Sequence, residues 1–410
     1  MFKKIIIHYL YVILIINLKN RKETKDMTDE RKLELIEKIQ SKNPSVSKEK
    51  LMYLVEHWDD TDEYRDAGTI SSVEDMERIY PGFDIKKYEK YNKDKNLIRN
   101  AIRSYYDMEK VRISIGNRIV KSFDEQNGQK PSEKKEEMND EMQKKLKIFE
   151  SEYQRITDAY VENHKTIKSI IKNNQGKDTD LNLTRIRDIS DYYMIDAYVT
   201  MHQKEKQLEK VVEKYLQGIP IYDNFLVNVK GCGTLMSGII ITYLDIYKAK
   251  YKSSFIKYAG IDTYYNEDKQ QVVGTTKGRI IKRKYTTKEG KEEIKNSITY
   301  QPFLKSKLMG VLADLFIKLG SDYATPYYEY KNRKQNDPRC ADISPIHLNK
   351  MAKRYMMKIF LGDLFTEWKK LEGLPVPTTY EERFLGMDPH HFSPLDEYKA
   401  AHPEQFNKKD

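Results

Sequence analysis

Between Lys230 and Thr234 the chain reads Lys-Gly-Cys-Gly-Thr, with aliphatic residues on both sides. Two glycines one residue apart let a backbone turn tightly and approach another surface closely. The surrounding segment, residues 221–246, has the layout of a helix-hairpin-helix unit. A first amphipathic helix carries Phe225, Leu226 and Val229, the turn is Gly231-Cys232-Gly233, and a second helix runs from Thr234 through Ser237, Gly238, Ile239 and Ile240. Cys232 suits the role of a small apolar plug between the helices, and Thr234 that of an N-cap. Ser237 and Gly238 are small enough to let the two helices come close. Exposed amides at such a turn, beside the positive end of a helix, make an anion site suited to a phosphate of the DNA backbone, and Lys230 adds charge there. Such contacts position a protein without reading sequence. An ordinary helical turn using the same glycines for packing is the competing expectation.

A second feature follows downstream. Residues 277–307 hold ten basic residues (Lys277, Arg279, Lys282, Arg283, Lys284, Lys288, Lys291, Lys295, Lys305, Lys307) against three acidic ones (Glu289, Glu292, Glu293). A run of charge is often only a solvated face, but beside a phosphate-binding turn it points to nucleic acid. Gly274, Gly278 and the neighbouring β-branched residues suggest a flexible basic loop or a β-hairpin.

Other reactive groupings are sparse. The acids Asp59, Asp60, Asp62 and Glu63 cluster in one short stretch, whereas a hard-cation site needs carboxylates converging from separate elements. No metal site is assigned, and Mg2+ enters only if an acidic site exists. His390 and His391 sit in a proline-rich tail without partners at zinc spacing. Trp58 and Trp368 lie on helical faces and read as core. Lys350, Lys353, Arg354 and Lys358 stand along a long C-terminal helix, where they face either DNA or water. Cys232 and Cys340 are the only cysteines, too few for a disulfide framework or an all-cysteine zinc site, and they indicate a reducing, cytoplasmic setting.

The whole chain has 410 residues, 73 Lys and Arg against 63 Asp and Glu, a net charge of +10, and 39% hydrophobic residues. The length allows two or three domains, and the apolar fraction is low for one large packed globule. Residues 5–16 are an apolar run behind the basic start Met-Phe-Lys-Lys. A spanning helix needs about 20 apolar residues, so this run is too short to cross a bilayer, and no membrane partner is expected. Met27 is the expected working start, and residues 27–410 keep a net charge of +6.

The elements that must position these features are helical. Short periodic segments occupy 28–41 and 48–58, Ser71 and Glu74 form a capping box for a short helix ended by Pro81 and Gly82, and Asn96 to Phe123 reads as a longer helix. A linker is expected over 124–135. Leu146, Phe149, Tyr153, Ile156, Tyr160, Asn163, Ile167 and Ile170 then alternate at spacings of three and four, a heptad seam in which Asn163 would fix register. After the polar stretch 173–182, a second helix places Ile186, Ile189, Tyr193, Ala197, Met201, Leu208, Val212 and Tyr215 on one face. The two should fold back as an antiparallel coiled coil. A helix from about Pro345 to Glu372 packs the C-terminal part, and the tail from Leu374 reads as irregular.

The order coiled coil, Gly-x-Gly hairpin, aliphatic helix and then Tyr258-Ala259-Gly260-Ile261 resembles the C-terminal half of insertion-sequence transposases that join a ribonuclease H-like DEDD domain to a serine-bearing helix-hairpin-helix domain. Gly278-Arg279-Ile280-Ile281-Lys282-Arg283-Lys284 is similar to that family's basic stretch, and Ala352-Lys353-Arg354-Tyr355 to its arginine-rich turn. The likeness covers roughly residues 140–370. It implies a DNA transposition or recombination role. The chain departs from the family where catalysis would sit. Residues 27–135 read as helices without a carboxylate-bearing strand, and Ile281 stands where the basic stretch has its serine. Thr275, Thr276 and Ser306 are the remaining nucleophile candidates, with no activating base assigned.

The expectation is therefore a mainly α protein. It comprises an apolar and basic extension (1–26), a helical N-terminal region (27–135), an antiparallel coiled coil (136–217), a helix-hairpin-helix DNA-binding domain with a small basic loop or β-hairpin (218–373), and a proline-rich tail (374–410). The DNA-binding residues expected are Lys230, Gly231, Gly233, Thr234, Lys277, Arg279, Lys282, Arg283 and Lys284. The partners expected are DNA through its backbone, with RNA as a further possibility, and a second copy through the coiled coil. The location expected is the cytoplasm, at the nucleoid or in a phage-infected cell. The alternative is an inactive coiled-coil scaffold.

Overall fold

The computed structural model of the protein describes residue 37 and residues 73–80, 82–128, 140–174, 185–266, 271–274, 280–286, 290–378 and 392–406. The expected helices at 28–41 and 48–58, the extension 1–26, Trp58 and the acids at 59–63 lie outside them apart from Glu37, which is helical. The fold is mainly α. Helices α1 (Val73–Ile79), α2 (Ile85–Gln126), α3 (Asp140–Asn163), α4 (Ile167–Asn174), α5 (Ile189–Leu216), α6 (Pro220–Asn224), α7 (Thr234–Tyr243) and α8 (Lys252–Tyr258) precede four strands, β1 (Thr263–Asn266), β2 (Gln271–Gly274), β3 (Ile280–Thr286) and β4 (Glu292–Ile298). Helices α9 (Pro302–Lys307), α10 (Ala313–Leu319), α11 (Ala324–Gln335), α12 (Pro345–Leu371) and α13 (Leu395–Ala401) follow. The chain splits into two compact units, one of residues 86–219 with 237–242, the other holding the remainder.

In the first unit α2 starts well before the expected Asn96. The lysine- and tyrosine-rich stretch from Ile85 shows no apolar stripe, yet Tyr88 and Lys95 are buried, so tertiary contact holds this part helical. The helix ends where Asn127 donates both its backbone N–H (3.1 Å) and its side-chain amide (2.7 Å) to the Phe123 carbonyl, with Gly128 at φ +73°.

The heptad seam is only partly realised. Helix α3 stops at Asn163, His164 takes φ +48°, and α4 restarts at Ile167. Asn163 is exposed, its amide bonded to the Ala159 carbonyl at 3.0 Å, so it closes a helix end and does not set register in a core. Tyr160 is exposed as well. On α5 the buried residues are Tyr192, Ile195, Tyr198, Glu205, Val212 and Leu216, while Tyr193 is 59% exposed. Ile186 and Val212 are buried as expected, whereas at Tyr192 and Leu216 the buried position is one residue away from the expected Tyr193 and Tyr215. Two neighbouring aromatics, Tyr192 and Tyr193, made the phase ambiguous, and Tyr192 wins by stacking on Tyr153 (ring centroids 5.0 Å). Helices α3 and α5 do run antiparallel, since Thr157 meets Tyr192 and Tyr153 donates to Asp196 at 2.5 Å. They are not a free-standing pair, because Ile119 and Val120 of α2 share their core with Phe149, Ile170 and Ile195.

Buried Glu152 closes the α4–α5 connection by accepting the Arg185 (3.1 Å) and Ile186 (3.2 Å) backbone N–H groups and the Arg185 guanidinium. Helix α5 then begins with Asp188 capping the Asp191 N–H at 2.9 Å. A Cβ on Gly238 would lie 2.8 Å from Ile102 Cδ1 and 3.1 Å from Val212 Cγ1. The glycine therefore accommodates α2 and α5, whereas the sequence pattern predicts that it faces the first helix of a hairpin. Gly238→Val is expected to destabilise the protein by about 1–3 kcal/mol through overpacking. A urea midpoint unchanged from wild type would count against this close approach.

The second unit is organised around α12, which begins close to where the periodicity placed it. Ser344 caps the His347 N–H at 3.3 Å. Phe360 meets Phe316 and Tyr323, and Phe365 and Trp368 enclose Phe255. Lys369 is also buried here, 1% exposed, its Nζ donating to Tyr80 Oη at 2.6 Å. That bond ties α12 to the residue after α1. Burial pulls the Lys369 ammonium down to about 7, with Asp245 opposing the change. The tail is less irregular than expected. Leu395 and Tyr398 of α13 are buried, and the Leu395 N–H bonds to Asp322 Oδ1 at 3.1 Å. The histidine pair at 390–391 lies outside the described residues.

Candidate nucleic-acid interface

The turn at Gly231 is built by the sequence around it. Helix α6 ends early because the side-chain amide of Asn224 bonds back to the Pro220 carbonyl (2.9 Å) and that of Asn228 to the Asn224 carbonyl (3.3 Å). Residues 226–228 tighten into a 3-10 turn with Leu226 buried. The Cys232 N–H then closes onto the Val229 carbonyl at 2.9 Å, and Cys232 is buried as a plug. Gly231 needs to be glycine, with φ +98° and an added Cβ only 3.2 Å from Phe316 Cδ1. Gly233 has open space around its Cα. Helix α7 already includes Thr234, which leaves Gly233, and not Thr234, in the flanking cap position. Lys230 and Gly233 are exposed. One turn therefore brings Lys230, Gly231, Gly233 and Thr234 together.

The Tyr-Ala-Gly-Ile segment turns α8 into β1. The Ile261 N–H bonds to the Ile256 carbonyl and the Gly260 N–H to the Lys257 carbonyl, both at 3.0 Å, with Gly260 at φ +65°. This is a Schellman closure, which explains the glycine without a ligand. Beyond it the chain forms two antiparallel ribbons. Strands β1 and β2 pair from Thr263 opposite Gly274 to Asn266 opposite Gln271. Strands β3 and β4 pair from Ile280 opposite Ile298 to Thr286 opposite Glu292. The basic segment is a hairpin, and Lys282, Arg283 and Lys284 are consecutive on β3. The exposed residues on β4 include Ile294, at 62%. Lys277 and Arg279, like Thr275 and Thr276, fall outside the described residues.

The root of the ribbons is held by a contact that sequence reasoning missed. Arg354 of α12 donates through one guanidinium nitrogen to the Ile261 (3.3 Å) and Asp262 (3.1 Å) carbonyls, and Lys358 reaches Thr263 Oγ1 at 3.3 Å. Lys305 lies over the Tyr300 ring, and burial together with the nearby Arg354 lowers its pKa against the pull of Asp262. Lys353 pairs with Asp314. Arg354 and Lys353 thus do structural work where the sequence allowed contact with DNA, while Lys350 is exposed. The spacing of α12 carried no signal for this, because the acceptors are backbone carbonyls more than 90 residues away in sequence.

Among the nucleophile candidates, Ser306 is exposed on α9 and makes no hydrogen bond to a base among the described residues. No group of three or more His, Cys, Asp or Glu fit to hold a metal occurs among the described residues. Among them, too, no helix is long and apolar enough to cross a membrane. No protein-family model, curated protein or solved structure matches this chain.

Proposed function

We propose that this chain is a DNA-binding protein, related in plan to insertion-sequence transposases, that holds the DNA backbone through the Lys230–Thr234 turn and the β3–β4 ribbon. Its role in this reading is in DNA transposition or recombination within the cell. The observation that carries the reading is the ribbon, in which a locally concentrated positive charge rides on a two-stranded element of the width a B-form major groove admits. Self-association through the helical unit belongs to the same reading, with exposed Val161 and Tyr193 as its apolar contacts. Ser306 makes no hydrogen bond to a base among the described residues, so the reading is one of binding and assigns no bond-breaking step.

Phosphate contacts release counterions, so the logarithm of the affinity for mixed-sequence duplex DNA should fall linearly with the logarithm of salt concentration, by about 0.9 per contact. Titration by fluorescence anisotropy at several salt concentrations should give a slope of several contacts and little sequence preference. Lys230→Glu, an exposed change that spares Gly231, should weaken binding at every DNA sequence alike. Affinity that does not change between low and moderate salt would sink the proposal.

A further inference from the structure

We infer that the outward side of α5 pairs, antiparallel about a two-fold axis at Lys204, with the same helix of a second copy of this chain. This rests on the self-association part of the reading above and gives it a surface and an orientation. Tyr193, Ala197, Lys204, Leu208, Val211 and Tyr215 follow one another at spacings of 4, 7, 4, 3 and 4. At about 100° per residue they lie within about 60° of one another, in a stripe roughly 33 Å long. Tyr193, Val211 and Tyr215 are exposed, and Ala197 and Leu208 are half-buried. On its far side the helix buries Tyr192, Ile195, Tyr198 and Leu216. Helix α5 is therefore apolar on two sides, of which its own unit fully covers one.

The period points to the kind of partner, and the charges point to which one. Spacings of three, four and seven are those of a coiled-coil seam, whose complement is another helix of the same period. Turned on itself about Lys204, the stripe sets Tyr193 beside the partner's Tyr215 and Ala197 beside the partner's Val211, so bulky and slimmer pairs match along its length. Asp196 borders the stripe on the same flank as Lys210 and Lys214. In an antiparallel pair that flank faces its own copy, so Asp196 falls between the partner's Lys210 and the partner's Lys214, twice per dimer. The ends of the helix oppose in the same sense. Residues 189–202 hold two aspartates and no lysine or arginine, whereas residues 203–216 hold four lysines and three glutamates, of which Glu205 is buried against Arg112. Lys204, at the axis, bends its amine to Gln207 Oε1 at 3.2 Å, and a lysine within a seam fixes register at a cost in stability. A strip one helix wide sits at the low end of specific interfaces, below about 1,200 Å2, so the dimer is weak and concentration-dependent.

The test uses the full chain, followed by sedimentation across a concentration series, with thermal melting and affinity for a mixed-sequence DNA duplex measured alongside. Wild type should pass from monomer to dimer as concentration rises. Tyr193→Glu and Val211→Glu, exposed changes within the stripe, should raise the dissociation constant of the dimer about tenfold or more. Both should keep the melting temperature that wild type shows where it is monomeric. For orientation, Tyr193→Cys chains mixed with Tyr215→Cys chains should form a disulfide-linked heterodimer on oxidation, and neither variant alone should cross-link beyond the level that Cys232 and Cys340 give wild type. Cross-linking of Tyr193→Cys chains with one another, as a parallel pair would give, overturns the inference. Dimers that survive both glutamate variants overturn this face and leave self-association standing. Wild type that stays monomeric at every concentration overturns self-association too, while its DNA affinity, read separately, still decides the DNA-binding reading.

Discussion

Glu205→Ala is expected to lower the unfolding free energy by about 3 kcal/mol, because it strands a cation in a largely dry site. Glu205 Oε1 accepts from Arg112 Nε at 2.6 Å, and the two side chains are 4% and 15% exposed. Arg112 also donates to Tyr198 Oη at 3.3 Å and lies over the Tyr198 ring. Removing the carboxylate deletes the neutralising charge, and a phenol cannot replace it. Breaking a buried pair costs about 3–5 kcal/mol, and the partial exposure of Arg112 places this one at the lower end. The double variant Glu205→Leu with Arg112→Met should recover most of the loss, since it buries no charge at all. Chemical denaturation of the three variants checks this. A double variant as unstable as Glu205→Ala would mean that lost packing, and not the stranded guanidinium, sets the cost.

Lys369 presents the opposite case, a buried cation whose bonded partner is a neutral phenol. Its folded pKa, about 7, lies below the ordinary 10.5, so between these values the unfolded chain binds more protons than the folded one. Stability therefore rises as pH rises from 7 towards 10.5 and is lost as pH falls back through that range, by up to about 1.4 kcal/mol per unit. Burial raises the pKa of Tyr80, Tyr247 and Tyr323 above the ordinary 10.0, so above that pH the unfolded chain loses protons first and stability falls. The profile should peak near pH 10. Lys369→Met should flatten the rise and stabilise the protein at pH 7 by about 1–4 kcal/mol, despite losing the bond to Tyr80. Urea midpoints across this range, followed by Trp368 fluorescence, decide it. A wild-type profile that is flat from pH 7 to 10 would show the amine to be solvated or paired in the folded state.

These two residues also mark where reading along the chain stops being informative. A lysine or glutamate in a helix reads as solvated face, and nothing within a few positions of Glu205 or Lys369 announces Arg112 or Tyr80, which arrive from 93 and 289 residues away. The same holds for Arg354, whose acceptors are backbone carbonyls. Helix phase failed for a related reason. On α5 apolar and aromatic residues stand at adjoining positions, so either of two faces satisfies a 3.6-residue period, and the choice was made by Tyr153 and α2.

What the sequence by itself determined is the mainly α character, the course of α12 from Pro345, the tight turn at Gly231 and the concentration of positive charge after it. Each follows from local chemistry, namely periodicity, caps, a glycine with positive φ and a count of charges. Only the tertiary structure decided that the basic segment is a ribbon of defined register, that Asn163 ends a helix, and that Lys369 and Glu205 lie in the core. These outcomes depend on which distant surfaces meet, and contact between residues far apart in sequence leaves no periodic trace in either segment.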